Sequence, residues 1–181
     1  MKFIYCIHAF VLQAILNILP FFMMDVYYDN MTHIGNTLHH PFFLLLWSAS
    51  CAVGLYVYSI LIWKKYKISY SKGLHFLICT GWIFSCIIPY SYDLPGWIND
   101  AHVWIAVAST VGFGLEWIYI HTKKESFIYS EIKTLLYFLD CVFILCIFIL
   151  ALAGHVNGLC EILFSFGINV ILVSFLLRYV L

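Results

Sequence analysis

Six apolar runs, each about as long as a membrane crossing, follow one another through a chain of 181 residues with little between them. They cover approximately residues 3–22, 42–63, 74–92, 102–120, 134–153 and 160–177. A helix needs about 20 mainly apolar residues to cross the hydrocarbon core of a bilayer. A soluble domain carries about 25% charged residues, whereas this chain is 64% hydrophobic and 10% charged. A small globule has too much surface for its volume to hide that much apolar area. The excess is expected to face lipid. The expected fold is all-α, a single polytopic domain over residues 1–181 built as a six-helix transmembrane bundle.

The basic residues orient that bundle. There are nine: Lys2, Lys64, Lys65, Lys67, Lys72, Lys123, Lys124, Lys133 and Arg178. With six crossings, all nine fall at the N-terminus, in the second and fourth loops, or at the C-terminus. Five or seven crossings would break this partition. Lys and Arg mark the cytoplasmic side, so an N-in/C-in multi-pass membrane protein is expected. Trp63 and Trp117 fall near the inner boundary and Trp97 and Trp104 near the outer one, as interfacial anchors do. The first run opens like a secretory signal, but it continues to Phe22 with no small-residue cleavage site, so it reads as a retained crossing. The connections are short, which favours antiparallel packing of sequential helices.

Net charge is zero and no basic stretch is dense enough for a nucleic-acid groove. Membrane lipids are the expected partners, with another membrane protein as a second candidate. The seven cysteines are dispersed, six of them inside apolar runs and Cys160 at the start of the last, and none forms a C-x-x-C pair. Buried thiols of this kind behave as small hydrophobes.

Two acids lie inside apolar runs. Glu116 stands five residues before His121, and Asp140 seven residues after Lys133. On neighbouring helices of opposite direction these positions have similar depth, roughly 7–11 Å inside the inner boundary at 1.5 Å per residue. A charge there is costly and should face the bundle interior. No Lys or Arg lies at that depth, so the pair reads either as proton-sharing carboxyls or as protonated acids hydrogen-bonded to neighbours. His102, Ser109 and Glu116 share one face of their run. Ala108 and Gly112, and likewise Thr110 and Gly114, form small-xxx-small packing steps. With Gln13 and Asn169, the residues Ser109, Glu116 and Asp140 define a candidate intramembrane polar site.

The outer face collects His33, His39, His40, Asp93, Asp100, His102, His155 and Glu161. Imidazole with carboxylate suits zinc, copper or iron, and His33 and His102 would be the leading ligands. Yet the spacing matches no ligand signature, so solvated or pH-responsive histidines are the preferred reading and no metal or cofactor is expected. A haem would require paired histidines deep in two runs, where only His8 and His75 occur, both near the inner end. Gly-x-Ser-x-Gly is absent.

Two stretches carry a family resemblance. Thr32-His33-Ile34-Gly35-Asn36 precedes His39-His40-Pro41, and Ile88-Pro89-Tyr90 precedes Leu94-Pro95 and Ile98-Asn99-Asp100-Ala101-His102. In these segments, the number of runs and their spacing, the chain resembles the DRAM-type six-span membrane protein family. It departs at His33-Ile34-Gly35, where that family carries a Ser-Asp-x-Gly core. The resemblance implies a non-enzymatic membrane protein linked to lipid organisation, autophagy or signalling.

The expected function is accordingly a non-enzymatic integral membrane protein that binds lipid or a membrane partner in a regulatory role. Two alternatives stand beside it: a small proton- or ion-coupled transporter using Glu116 and Asp140, and an intramembrane metalloenzyme using the outer His/Asp cluster.

Overall fold

The computed structural model describes residues 2–91, 93–123 and 128–181. Tyr92, expected to close the third crossing, and Lys124, counted with the fourth loop, lie outside these ranges. Among the described residues the fold is helical, without strands. Its elements are α1 (Lys2–Met23), α2 (Met31–Asn36), α3 (Pro41–Lys65), α4 (Lys72–Ile87), α5 (Gly96–His121), α6 (Ser130–Ala153) and α7 (Gly158–Val180). Five of them, α1, α3, α5, α6 and α7, are long and apolar enough to cross a membrane.

The third run is shorter than expected. Ser71 caps α4 by accepting the Leu74 N–H at 3.3 Å, and the helix stops at Ile87 rather than near residue 92. Pro89 is the reason, since the residue before a proline is driven out of the helical region. Ile88 accordingly has φ −74° and ψ 119°. The 16 residues of α4 make a helix of about 24 Å, against a hydrocarbon core of about 30 Å. Helix α5 begins earlier than its apolar run, at Gly96 directly after Pro95. Asn99 and Asp100 fit in its first turns, the latter exposed. Pro41 opens α3 at the position where a missing N–H costs nothing. Gly154 closes α6 with φ 73°, returning its amide to Leu150 O, the left-handed stop that glycine adopts most easily. Wider π turns interrupt α1 at Ile7–Leu12 and α7 at Leu163–Gly167 and Leu176–Val180.

Helices α3 and α7 form the centre. About half of their most apolar stretches is buried, 56% and 50%, against 28% in α1 and α5 and 22% in α6. Leu55, Tyr58 and Trp63 of α3 meet Leu172 and Leu176 of α7, Leu135 and Leu139 of α6, and Phe113 and Trp117 of α5 in one core. A smaller cluster of Leu16, Met31, Ile34, Leu44 and Trp47 seats the short helix α2 against α1 and α3. Outward, Phe3, Phe22, Phe42, Leu77 and Leu152 are at least 66% exposed. Apolar faces this extensive exceed what soluble monomers show to water.

Helix α4 packs tightly between α3 and α5. Gly81 lets it approach α5 so closely that a Cβ there would stand 2.1 Å from Ser109 Oγ, while one at Gly112 would meet Ile78 at 3.2 Å. Small residues permit this spacing without a hydrophobic drive between helices. At the other end of the bundle the 25–29 loop is tied to the start of α7. Gly158 N–H donates to Asp29 O at 2.6 Å and Leu159 N–H to Val26 O at 2.9 Å. The Asn157 amide reaches Tyr27 O at 3.1 Å.

Candidate functional site

The polar interior divides into separate groups. Gln13 and Asn169 belong to a network joining α1, α3 and α7. Gln13 Nε2 donates to Ser50 Oγ at 2.8 Å, and Asn17 donates to Gln13 O at 2.7 Å. Trp47 and Ser165 both donate to Asn17 Oδ1, at 2.9 and 2.8 Å. Asn169 donates to Ser165 O at 2.8 Å. His8 sits beneath this network. Its Nε2 faces the Ser50 carbonyl at 3.1 Å and therefore carries the proton, leaving Nδ1 to accept from Tyr58 OH at 2.6 Å.

The two acids within apolar helices have different partners, and each is a histidine. Glu116 is buried on α5 and its carboxylate lies 2.6 Å from His75 Nδ1 of α4. Asp140, about a third exposed, stands 3.6 Å from His121. Lys and Arg are absent at this depth, and histidines take their place. The signal for His75 was present, since it lies three residues inside Lys72 as Glu116 lies five inside His121. His75 is enclosed by aromatic rings: Tyr56 stacks on it at 5.3 Å and Trp63 approaches edge-on at 4.6 Å. Ser109 packs against Gly81, not against either acid. At the same end, outside the helices, burial pushes the phenols of Tyr66 and Tyr70 above their ordinary pKa, so both stay neutral at physiological pH.

The residues expected at the outer face are likewise distributed. His33 pairs with Asp29 at 3.6 Å. His39, His40, Asp93 and Asp100 are exposed. His155 lies between two carbonyls, Ala153 O at 2.9 Å and Tyr28 O at 3.1 Å. Among the described residues no three His, Cys, Asp or Glu side chains stand together as a metal site. Two of the residues do meet across a shared space. His102 Nδ1 donates to Ile88 O at 2.9 Å, so in the neutral ring Nε2 accepts the Thr32 hydroxyl at 3.1 Å. Glu161, in the first turn of α7 where the helix dipole favours an anion, accepts the Met31 N–H through Oε2 at 2.6 Å. These bonds fasten α2 across α5 and α7.

Beneath α2 lies a cavity of about 450 Å³, within the usual range for small-molecule sites. Its polar end is formed by Thr32, His102 and Glu161, and beyond them the walls become apolar. Trp47, Trp82 and Phe164 line its floor, Val107, Val111, Leu115 and Ile118 one wall, and Phe143, Ile147 and Leu150 the other. Along α5, from His102 to Ile118, it follows about 24 Å of helix. Leu115, Ile118 and Ile147 are more than half exposed, so the cavity opens sideways between α5 and α6. Thr110 and Gly114, expected as a helix-packing step, line this space instead. A Cβ at Gly114 would meet nothing within 4 Å. Cys146 and Cys160 face each other on its rim, each thiol directed at the other's carbonyl, at 3.8 and 3.5 Å. All seven cysteines are free thiols. The polar stripes of several runs hint at a small cavity, but no single run locates this one, because its walls come from six helices.

These features define an all-helical protein with several membrane-length helices around a laterally open, largely apolar cavity. No protein-family model matches the chain, and neither a curated protein nor a solved structure does.

Proposed function

We propose that this protein is a multi-pass integral membrane protein that holds a lipid in the cavity between α5 and α6, and that it acts by binding rather than by catalysis. The cavity carries this reading: it is apolar along most of its length, polar at one end, and open to the side. A water-soluble ligand would have little to bond there, whereas an aliphatic chain would lose only lipid contacts and regain wall contacts. The polar end lies among the residues expected at the outer headgroup level. The proposed topology counts α4 as a sixth, short crossing, with both termini cytoplasmic, because only this arrangement gathers the basic residues on one side. The DRAM-type resemblance points to the same class.

The test is lipid retention. Protein purified in a mild detergent should carry about one long-chain lipid per chain by native mass spectrometry. Gly114→Phe, which places a ring where there is now open space, should remove that lipid while leaving the protein folded. Wild-type protein without retained lipid would sink the reading.

The buried His75–Glu116 pair favours a second reading, proton-coupled transport. It predicts proton flux in liposomes that Glu116→Gln abolishes. Absence of flux in the wild type would remove it.

A further inference from the structure

The polar end of the cavity has a chemical sign, and from it we infer that the bound lipid is a long-chain amine. This deepens the lipid-binding reading and rests on it. The argument is an accounting of donors and acceptors at three side chains. The Glu161 carboxylate accepts one hydrogen bond, from the Met31 N–H to Oε2. Its Oε1 has no partner among the described residues, and the side chain lines the cavity. The Thr32 hydroxyl spends its proton on His102 Nε2, so its oxygen can only accept. His102 uses both ring nitrogens, Nδ1 on the Ile88 carbonyl and Nε2 on Thr32. These side chains therefore present acceptors, together with a buried carboxyl group that a bound cation would hold ionised.

The cavity lining contains no Lys or Arg, and all nine in the chain fall in other segments. The hydroxyls further in are also spent. Ser48 donates to Leu45 O, Ser85 to Trp82 O and Thr110 to Ala106 O. The Trp82 indole N–H is a neutral donor deeper along the floor and cannot balance a charge. A carboxylate in such surroundings is stabilised by a partner that brings both donors and a positive charge. An ammonium has three N–H donors, enough for both Glu161 Oε1 and Thr32 Oγ1. A fatty acid or a phosphate monoester would set anion against anion, with no charged donor to receive it. The apolar walls accommodate the aliphatic chain that the amine must carry.

The experiment compares three probes that share one aliphatic chain: stearylamine, stearyl alcohol and stearate. Binding to purified full-length protein is followed by quenching of tryptophan fluorescence in neutral maltoside micelles, so the micelle adds no charge bias. Stearylamine should bind about tenfold more tightly than stearate, the size of one charge-assisted contact, with the alcohol between them. Glu161→Gln keeps an acceptor for the Met31 N–H and should bring amine and stearate to within about twofold while leaving the alcohol unchanged. Val156→Lys, at an exposed position on the cavity lining, is a second variant that leaves the Glu161 contact with α2 intact. It should shift the preference toward stearate. Stearate binding as tightly as the amine to the wild type would overturn the inference while leaving the lipid reading in place. A preference for the amine that survives both variants would do the same. Failure of all three probes to bind saturably would overturn the lipid reading and this inference with it.

Discussion

Glu116 and His75 show how one residue changes meaning when its neighbour is known. Alone in an apolar run, the acid is an expensive charge. Beside His75 at 2.6 Å, both buried, it is half of a hydrogen-bonded pair. Removing one member of such a pair strands the other, which typically costs about 3–5 kcal/mol, whereas replacing both with apolar residues of similar size is often near neutral. His75→Leu should therefore lower the unfolding midpoint sharply, and His75→Leu with Glu116→Leu should recover most of the loss. Thermal unfolding in detergent, followed by tryptophan emission, measures both. A double variant less stable than either single would contradict the pairing. Gly54 gives a second test at this scale. A Cβ there would stand 1.9 Å from Asn169 Oδ1 and 3.0 Å from His8 Cε1. Gly54→Ala should cost about 1–3 kcal/mol, as overpacking does, because Asn169 is held in place by its bond to Ser165 O.

Among the elements, the ends of α4 and α6 depend on single residues. Gly154 holds a left-handed stop at φ 73°. Gly154→Val places a β-branched residue in a conformation such residues resist, and about 1–2 kcal/mol of destabilisation is expected. Gly154→Asn should cost less, because asparagine tolerates that region. The same unfolding assay ranks the two, and equal losses would show that the cap conformation is not what matters. Helix α4 is the element whose extent the apolar pattern misjudged. Hydropathy continues through Ile87, Ile88, Pro89 and Tyr90, but the backbone leaves the helix at Ile88 because of the proline that follows. The helix is short for a crossing, yet it is held on both sides by α3 and α5, with Gly81 and Gly112 allowing the close approach.

For the whole molecule, the proposed topology is open to a direct check. Single cysteines introduced at Asp93 and Lys67, in a background where the native cysteines do not react, should label from opposite sides of a sealed vesicle. Asp93 should label from outside and Lys67 only after permeabilisation. Labelling of both from one side would mean that α4 does not cross. Together with lipid retention and its loss in Gly114→Phe, this separates how the chain lies in the bilayer from what it holds there.

The sequence by itself determined the class of fold, because apolar runs of membrane length and a charge content of 10% leave few alternatives to a bundle of apolar helices. It also determined the helix ends set by local chemistry, such as Pro41, Ser71 and Gly154. Which acid meets which base was decided only by the tertiary structure. Depth along a helix can be counted from the sequence, but the rotation of one helix against another depends on packing around α3 and α7. That rotation turns Glu116 toward His75 and leaves Asp140 with His121. It also sets Gln13 and Asn169 in one network and Ser109 in a helix contact. The cavity is more remote still from the linear pattern. An apolar residue reads the same whether it faces lipid, core or empty space, so only the assembled walls reveal a void. The small residues Thr110 and Gly114 make the point: by spacing they promise a close helix contact, and in the folded chain they face an open space.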